Sequence, residues 1–313
     1  MAWLWCNSWP WASGQTSPVR GVAADPAPPY FPPDVRQARL GCLREASVVV
    51  LPGSHHLHME QPDAVARFEA DPRPTPQAFA DVVEQLLQSP HYGERWGRHW
   101  MDVWRYSDWY GRRHVPDVWN SAPQIWRWRD WIVESLNGNM PYDRMVMLML
   151  AADEVTPTDQ NALRATGFLV RNYKLLSREA WMEDTVNHTS KAFLGITIHC
   201  AKCHSHMYDP IQQTDYYRFR AIFENYNVRT ERIPGEPDTA KTALVRAYDA
   251  DMTAATYLFP RGDDRNPDKS RAFAPGLPAF LGGEIGVKPV TLPAVAVHPE
   301  LASFVVNETR AGL

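Results

Sequence analysis

Apolar positions recur every three or four residues through the middle of the chain. In TPQAFADVVEQLLQ, Phe79, Val82, Val83, Leu86 and Leu87 follow helical spacing, with Pro76 near the start. SPHYG interrupts the pattern. Trp96, Trp100 and Trp104 then stand at i, i+4 and i+8 as one apolar stripe, with Arg95, Arg98, Asp102 and Arg105 as polar neighbours. APQIWRWRDWIVESLNGN predicts a third helix, ending at the Gly138–Asn139 turn signal before Pro141. YDRMVMLMLAADE predicts a fourth, rich in Met. In WMEDTVNHTSKAFLGITIHCAKCH the positions Met182, Val186, Thr189, Phe193, Ile196, Cys200 and Cys203 keep the period, so a fifth helix is expected to reach Cys203. On such a helix Cys200, Cys203 and His204 share one face. TDYYRFRAIFENY predicts a sixth. No stretch before residue 230 alternates with period two. The expected fold class is mainly α: an irregular helical domain with a Trp-rich core, followed by a Pro/Gly-rich irregular C-terminal segment.

Residues 1–60 are expected to be poorly structured and non-native. Their ADPAPPYFPPD stretch should be extended, and their opening has neither the basic nor the apolar region of a signal peptide. Residues 61–230 form the expected helical domain. Residues 231–313 are expected to be a linker, RIPGEPDTAKT, and the irregular start of a following, truncated domain.

Composition changes the picture in two places. Eight of the 13 Trp lie between Trp96 and Trp131, which favours packing at the centre of a core over a ligand platform. Only four Cys are present, too few for a disulfide scaffold: Cys6 and Cys42 are isolated, while Cys200 and Cys203 form a pair. The net charge of −4 gives no bulk case for nucleic-acid binding, and no apolar run is long enough to span a membrane.

Cys200-Ala-Lys-Cys203-His204 is the attachment pattern of a c-type haem. Two thiols bond one porphyrin, and the adjoining imidazole ligates its iron from below. At random positions such a match is expected roughly 0.002 times in a chain of this composition. Zinc is the main rival. Cys200 and Cys203 make a half-site, His204 or His206 a third ligand, and Asp209 a crowded fourth. A redox dithiol, or two buried thiols beside a satisfied His, stay open as well.

Several blocks together resemble a known family: SPHYGERWGRHWMDVWRYSDW, WRWRDWIVESLNGNMPYDRMV, ATGFL, FLGITIHCAKCHSHMYDPIQQTDYYRFRAIFENY and LFPRGDDRNPDKSRAFAPGLPAFL. The chain is similar over about residues 61–313 to the planctomycete cytochrome c-like proteins, which carry domains of unknown function 1549 and 1553. The family pattern, roughly Cys-x-x-Cys-His-Asp-His-Lys-Phe-Asp-Pro, is met at Cys200, Cys203, His204, His206, Asp209 and Pro210. Ser205 stands for the usual Asp, and Met207-Tyr208 for Lys-Phe. The resemblance implies an extracytoplasmic protein with a haem cofactor and leaves the reaction open.

On this reading Cys200 and Cys203 form the thioethers and His204 is the proximal ligand. His206 either serves the haem, holds a second metal with Asp209, or ties down the loop. His188 and Met182 are the candidates for the distal ligand, with His99, Met101 and the Met-rich helix behind them. Three functions follow: haem-dependent redox or electron transfer in the cell envelope, with a redox protein as partner; a zinc hydrolase or carbohydrate-active protein using the Cys/His/Asp cluster; and a non-catalytic scaffold whose Trp-rich helices face a partner.

Overall fold

Helices with a single apolar stripe must cover it with another element, and the described residues show how. In a computed structural model, residues 19–25, 46–52, 70–73, 75–108, 123–174 and 176–312 are described, with single positions at 63 and 66. Cys6, Cys42, the His55–His58 cluster, Trp109 and Trp119 lie outside them. The chain divides into two units, residues 1–89 and 90–313.

In the first unit, strands β1 (Val19–Asp25) and β2 (Ala46–Pro52) pair in parallel. Helix α1 spans Thr75–Leu87. Strand β2 contains the unbroken apolar run Val48-Val49-Val50-Leu51. Parallel strands carry such runs instead of alternation, so a search for period two passes over them.

The second unit is mainly α. Helices α2 (His91–Val103), α3 (Trp126–Asn137) and α4 (Tyr142–Val155) follow the Trp and Met stripes. Trp104, Trp128, Trp131, Met145 and Met149 are fully buried, so the Trp-rich helices form the core. Among the described tryptophans only Trp96 is exposed.

Helix α2 meets α3 through its glycines. A Cβ on Gly93 would lie 2.4 Å from the Val133 carbonyl oxygen, and one on Gly97 would lie 3.3 Å from Val133 Cγ2. Pro90 offers no side-chain cap, so Asn137 of α3 supplies one: its Oδ1 accepts the Gly93 N–H at 2.7 Å, and its Nδ2 donates to the Pro90 carbonyl at 2.8 Å. Short helices α5 (Gln160–Leu163) and α6 (Gly167–Val170) follow. Gly167 packs on Trp128 so closely that a Cβ would fall 2.3 Å from Trp128 Cβ.

Helix α7 (Arg178–Thr189) buries Trp181, Met182, Thr185 and Val186. The expected fifth helix does not run on to Cys203. A π-helical turn occupies Ser190–Leu194, Gly195 ends it at φ 66°, and a separate 3-10 turn covers His199–Lys202. Phe193 and Ile196 keep the apolar period because they pack on the same core, but left-handed Gly195 breaks the backbone. Helix α8 spans Gln213–Ala221, and its N-terminus is closed by a reciprocal Gln212–Asp215 capping box.

After α8 the chain forms the antiparallel strands β3 (Tyr226–Glu231) and β4 (Leu244–Asp249), joined by the stretch read as a linker. Alternation does not mark β4, because Arg246 occupies a buried position beside Leu244, Val245 and Ala247. The helical side chains pin this hairpin. Thr166 Oγ1 accepts the Ala247 N–H at 3.0 Å, Arg127 Nε donates to the Ala243 carbonyl at 2.7 Å, and Gln124 Nε2 donates to the Thr239 carbonyl at 2.9 Å. Strands β5 (Thr256–Leu258) and β6 (Asp268–Phe273) pair next. Helices α9 (Ala294–Val297) and α10 (Ser303–Arg310) complete the order.

Two predictions follow from the packing. Replacing Gly167 with Ala forces a methyl into Trp128, and a loss of about 2–4 kcal/mol is expected by chemical denaturation. The second concerns Asp153 at the end of α4. Burial pushes its carboxyl up to about 7, with Asp249 and Glu154 adding to the shift and Arg246 opposing it. An unfolded carboxyl releases its proton near 3.8, so stability is fullest below that pH and is lost as pH rises through 7. Asp153→Asn should therefore raise the melting temperature at pH 8, by roughly 2 kcal/mol in stability. The two proteins should converge near pH 4.

Candidate functional site: an exposed CxxCH turn

The 3-10 turn His199–Lys202 is anchored from below. Ile198 and Ala201 are fully buried, which fixes the turn and leaves His199 and Cys200 outward. Cys200 and Cys203 are both exposed and both carry free thiols. Residues i and i+3 eclipse one another in a 3-10 turn, so the pair stays on one side without the long helix.

Two helices hold the turn. From α7, Glu183 pairs with Lys202 Nζ at 2.6 Å and with His199 Nδ1 at 3.2 Å. Asn187 Nδ2 lies 2.9 Å from that same His199 nitrogen. From α8, the Tyr217 hydroxyl donates to the Lys202 carbonyl at 2.9 Å and Gln213 Nε2 donates to it at 3.1 Å. Both donors also reach the Phe259 carbonyl, at 3.3 and 3.4 Å. They stitch a distant loop to the turn. That loop presents backbone to Cys203: Arg261 and Gly262 adopt φ 57° and 78°, and a Cβ on Gly262 would lie 2.4 Å from Cys203 Sγ. Glycine alone fits both the conformation and the space.

His204 is exposed, and its Nδ1 lies 2.7 Å from the Ser205 carbonyl oxygen. A carbonyl only accepts, so Nδ1 carries the proton and Nε2 keeps its lone pair, as an iron ligand must. His206 is built differently. Its Nδ1 accepts the backbone N–H of Asp209 at 2.9 Å and of Tyr208 at 3.3 Å, while the backbone N–H of His206 donates to the Ile211 carbonyl at 2.8 Å. The Asp209 carboxylate approaches the same nitrogen at 3.4 Å, but a lone pair that accepts two N–H groups cannot also donate to it. His206 therefore ties the loop, and the loop holds Met207 and Tyr208 out in solvent at 75% and 88% exposure.

The remaining expected site residues are elsewhere. Among the described residues no three His, Cys, Asp or Glu side chains gather into a group that could hold a metal ion, Cys200, Cys203, His204, His206 and Asp209 included. Met182 is fully buried. His188 is buried against Asn172, 2.5 Å from its Oδ1, and burial with the nearby Arg105 and Arg171 pushes its pKa down to about 4, against a smaller opposing pull from Asp184. The α7 residues that make polar contacts with the turn are Glu183 and Asn187. Sequence reasoning missed Gln213, Tyr217 and Gly262. Only the turn composition of PRGDD hinted at the last.

Residues 58–228, more than half of the chain, match the sequence model of PSCyt2, described as a protein of unknown function (DUF1549). The chain belongs to that family. No curated protein and no solved structure matches it. Gly262 and Arg261 lie beyond the matched region.

Gly262→Ala places a methyl on the Cys203 sulfur while the loop stays pinned by Gln213 and Tyr217. Alkylation of Cys203 by iodoacetamide should slow several-fold, with Cys200 as the unaffected control, read by peptide mass mapping.

Proposed function

We propose that this chain carries a covalently attached c-type haem and serves electron transfer or haem-dependent redox chemistry in the cell envelope, with a redox protein as its partner. The observation that supports this reading is the donor set of the turn. Two free, exposed thiols stand three residues apart on a braced turn, followed at once by an exposed His204 whose Nδ1 proton is fixed by a carbonyl. Cys200 and Cys203 would hold the group through thioethers, and His204 Nε2 would ligate its iron. When bound, the group supplies a one-electron couple. The protein's own part is to fix the turn through Glu183, Gln213 and Tyr217, and to hold the His204 tautomer. Covalent haem attachment belongs to the extracytoplasmic side, which sets the expected location.

The test is expression with the haem-attachment machinery, followed by a pyridine haemochrome spectrum and a haem stain after denaturing electrophoresis. An α-band and covalent haem are expected. Changing both Cys200 and Cys203 to Ser should abolish the stain, while His204→Ala should weaken iron ligation and alter the spectrum. Protein that folds without any covalent haem, or that holds stoichiometric zinc without iron, would overturn the reading.

A further inference from the structure

Away from the Cys200–His204 turn, a cavity of about 840 Å³ opens between the start of α5, the end of β3 and the segment around α9 and α10. None of its lining residues belongs to the turn. Its walls are partly apolar, through Leu163, Val295, Leu301 and Phe304. Glu231 and Arg246, both more than nine-tenths buried, form part of its lining.

The Glu231 carboxylate is used on one side only. Its Oε1 accepts Arg229 Nε at 2.6 Å, Arg246 Nε at 2.8 Å and Arg246 Nη2 at 2.7 Å. Its Oε2 takes no hydrogen bond among the described residues. Arg232, next in the chain and also lining the cavity, has a buried Nε with no partner. A buried polar group left unanswered costs about 1–3 kcal/mol. The Oε2 oxygen is thus a free acceptor on a residue that lines the space.

Charge decides the class of ligand. The cations around the cavity are already paired: Arg229 and Arg246 with Glu231, and Arg232 with Glu308. Asp159 and Glu300 add negative charge to the lining, so an anion is disfavoured. The charge of Glu231 is already balanced by two guanidinium groups, so a further cation gains little from it. A hydroxyl is neutral, donates to a carboxylate and accepts from an N–H. A ring bearing several hydroxyls also offers C–H faces to Leu163 and Phe304.

We propose that this cavity binds a neutral polyhydroxylated ring compound, the chemistry of a sugar, with Glu231 accepting from one of its hydroxyls. The volume suits a ligand of roughly two or three rings. The site shares no residue with the CxxCH turn, so the proposal stands or falls independently of the haem reading.

The test is saturation-transfer NMR on the full chain with maltose and lactose as probes, and with glucuronate and glucosamine as charged controls. Binding of at least one neutral probe is expected, with weaker response from both charged sugars. Val295→Trp fills the cavity and should reduce affinity at least about tenfold. Phe304→Ala, which removes a wall and adds no bulk, serves if that variant does not fold. No response from either neutral probe at about 10 mM, a preference for a charged sugar, or undiminished binding in the folded variant would overturn the proposal.

Discussion

The carbonyl of Lys202 accepts two hydrogen bonds, from Tyr217 and Gln213, and each of those donors also reaches the carbonyl of Phe259. Two backbone segments far apart in sequence thereby share one pair of side chains from α8. The Cys200–Cys203 turn has little regular structure of its own, and a single 3-10 turn is weak by itself. Its position depends on this double bridge, on the Glu183–Lys202 pair from α7, and on the buried Ile198 and Ala201 beneath. Helix α8 can offer the bridge because its first turn is closed by Gln212 and Asp215 and its Phe219 is buried in the core.

A second knot fixes α7, which the turn leans on. Arg178 donates to the carbonyls of Glu224 and Tyr226 and stacks over Trp181 at 4.2 Å. Trp181 Nε1 donates to the Tyr226 hydroxyl, which also meets Thr185 Oγ1 at 2.6 Å. A buried indole N–H and a buried hydroxyl satisfy each other, so the helix enters the core without a polar penalty. The face of α7 that carries Glu183 and Asn187 is thereby turned toward the cysteines, and the face with Met182 toward the core.

The helices α2, α3 and α4 were legible because Trp and Met mark their buried stripes. The motif was legible because its chemistry lies within five consecutive residues. The local form of the site was not. Apolar spacing ran on through Phe193 and Ile196, and only Gly195 signalled the break. Strand β4 was hidden by Arg246, whose burial depends on Glu231 in the neighbouring strand. No local pattern could show that Gly262 would lie against Cys203, since that contact exists only after long-range closure.

The openness of the turn has a cost in timing. Cys200 and Cys203 are exposed neighbours, and in an oxidising compartment neighbouring thiols react with oxidants and with one another. On the proposed reading, loading and oxidation compete for the same two sulfurs. Gly262 stands against the Cys203 sulfur, so on that reading this glycine bears directly on how that sulfur is reached. Access to one of the two sulfurs then depends on a glycine far along the chain, and not only on the motif that contains them.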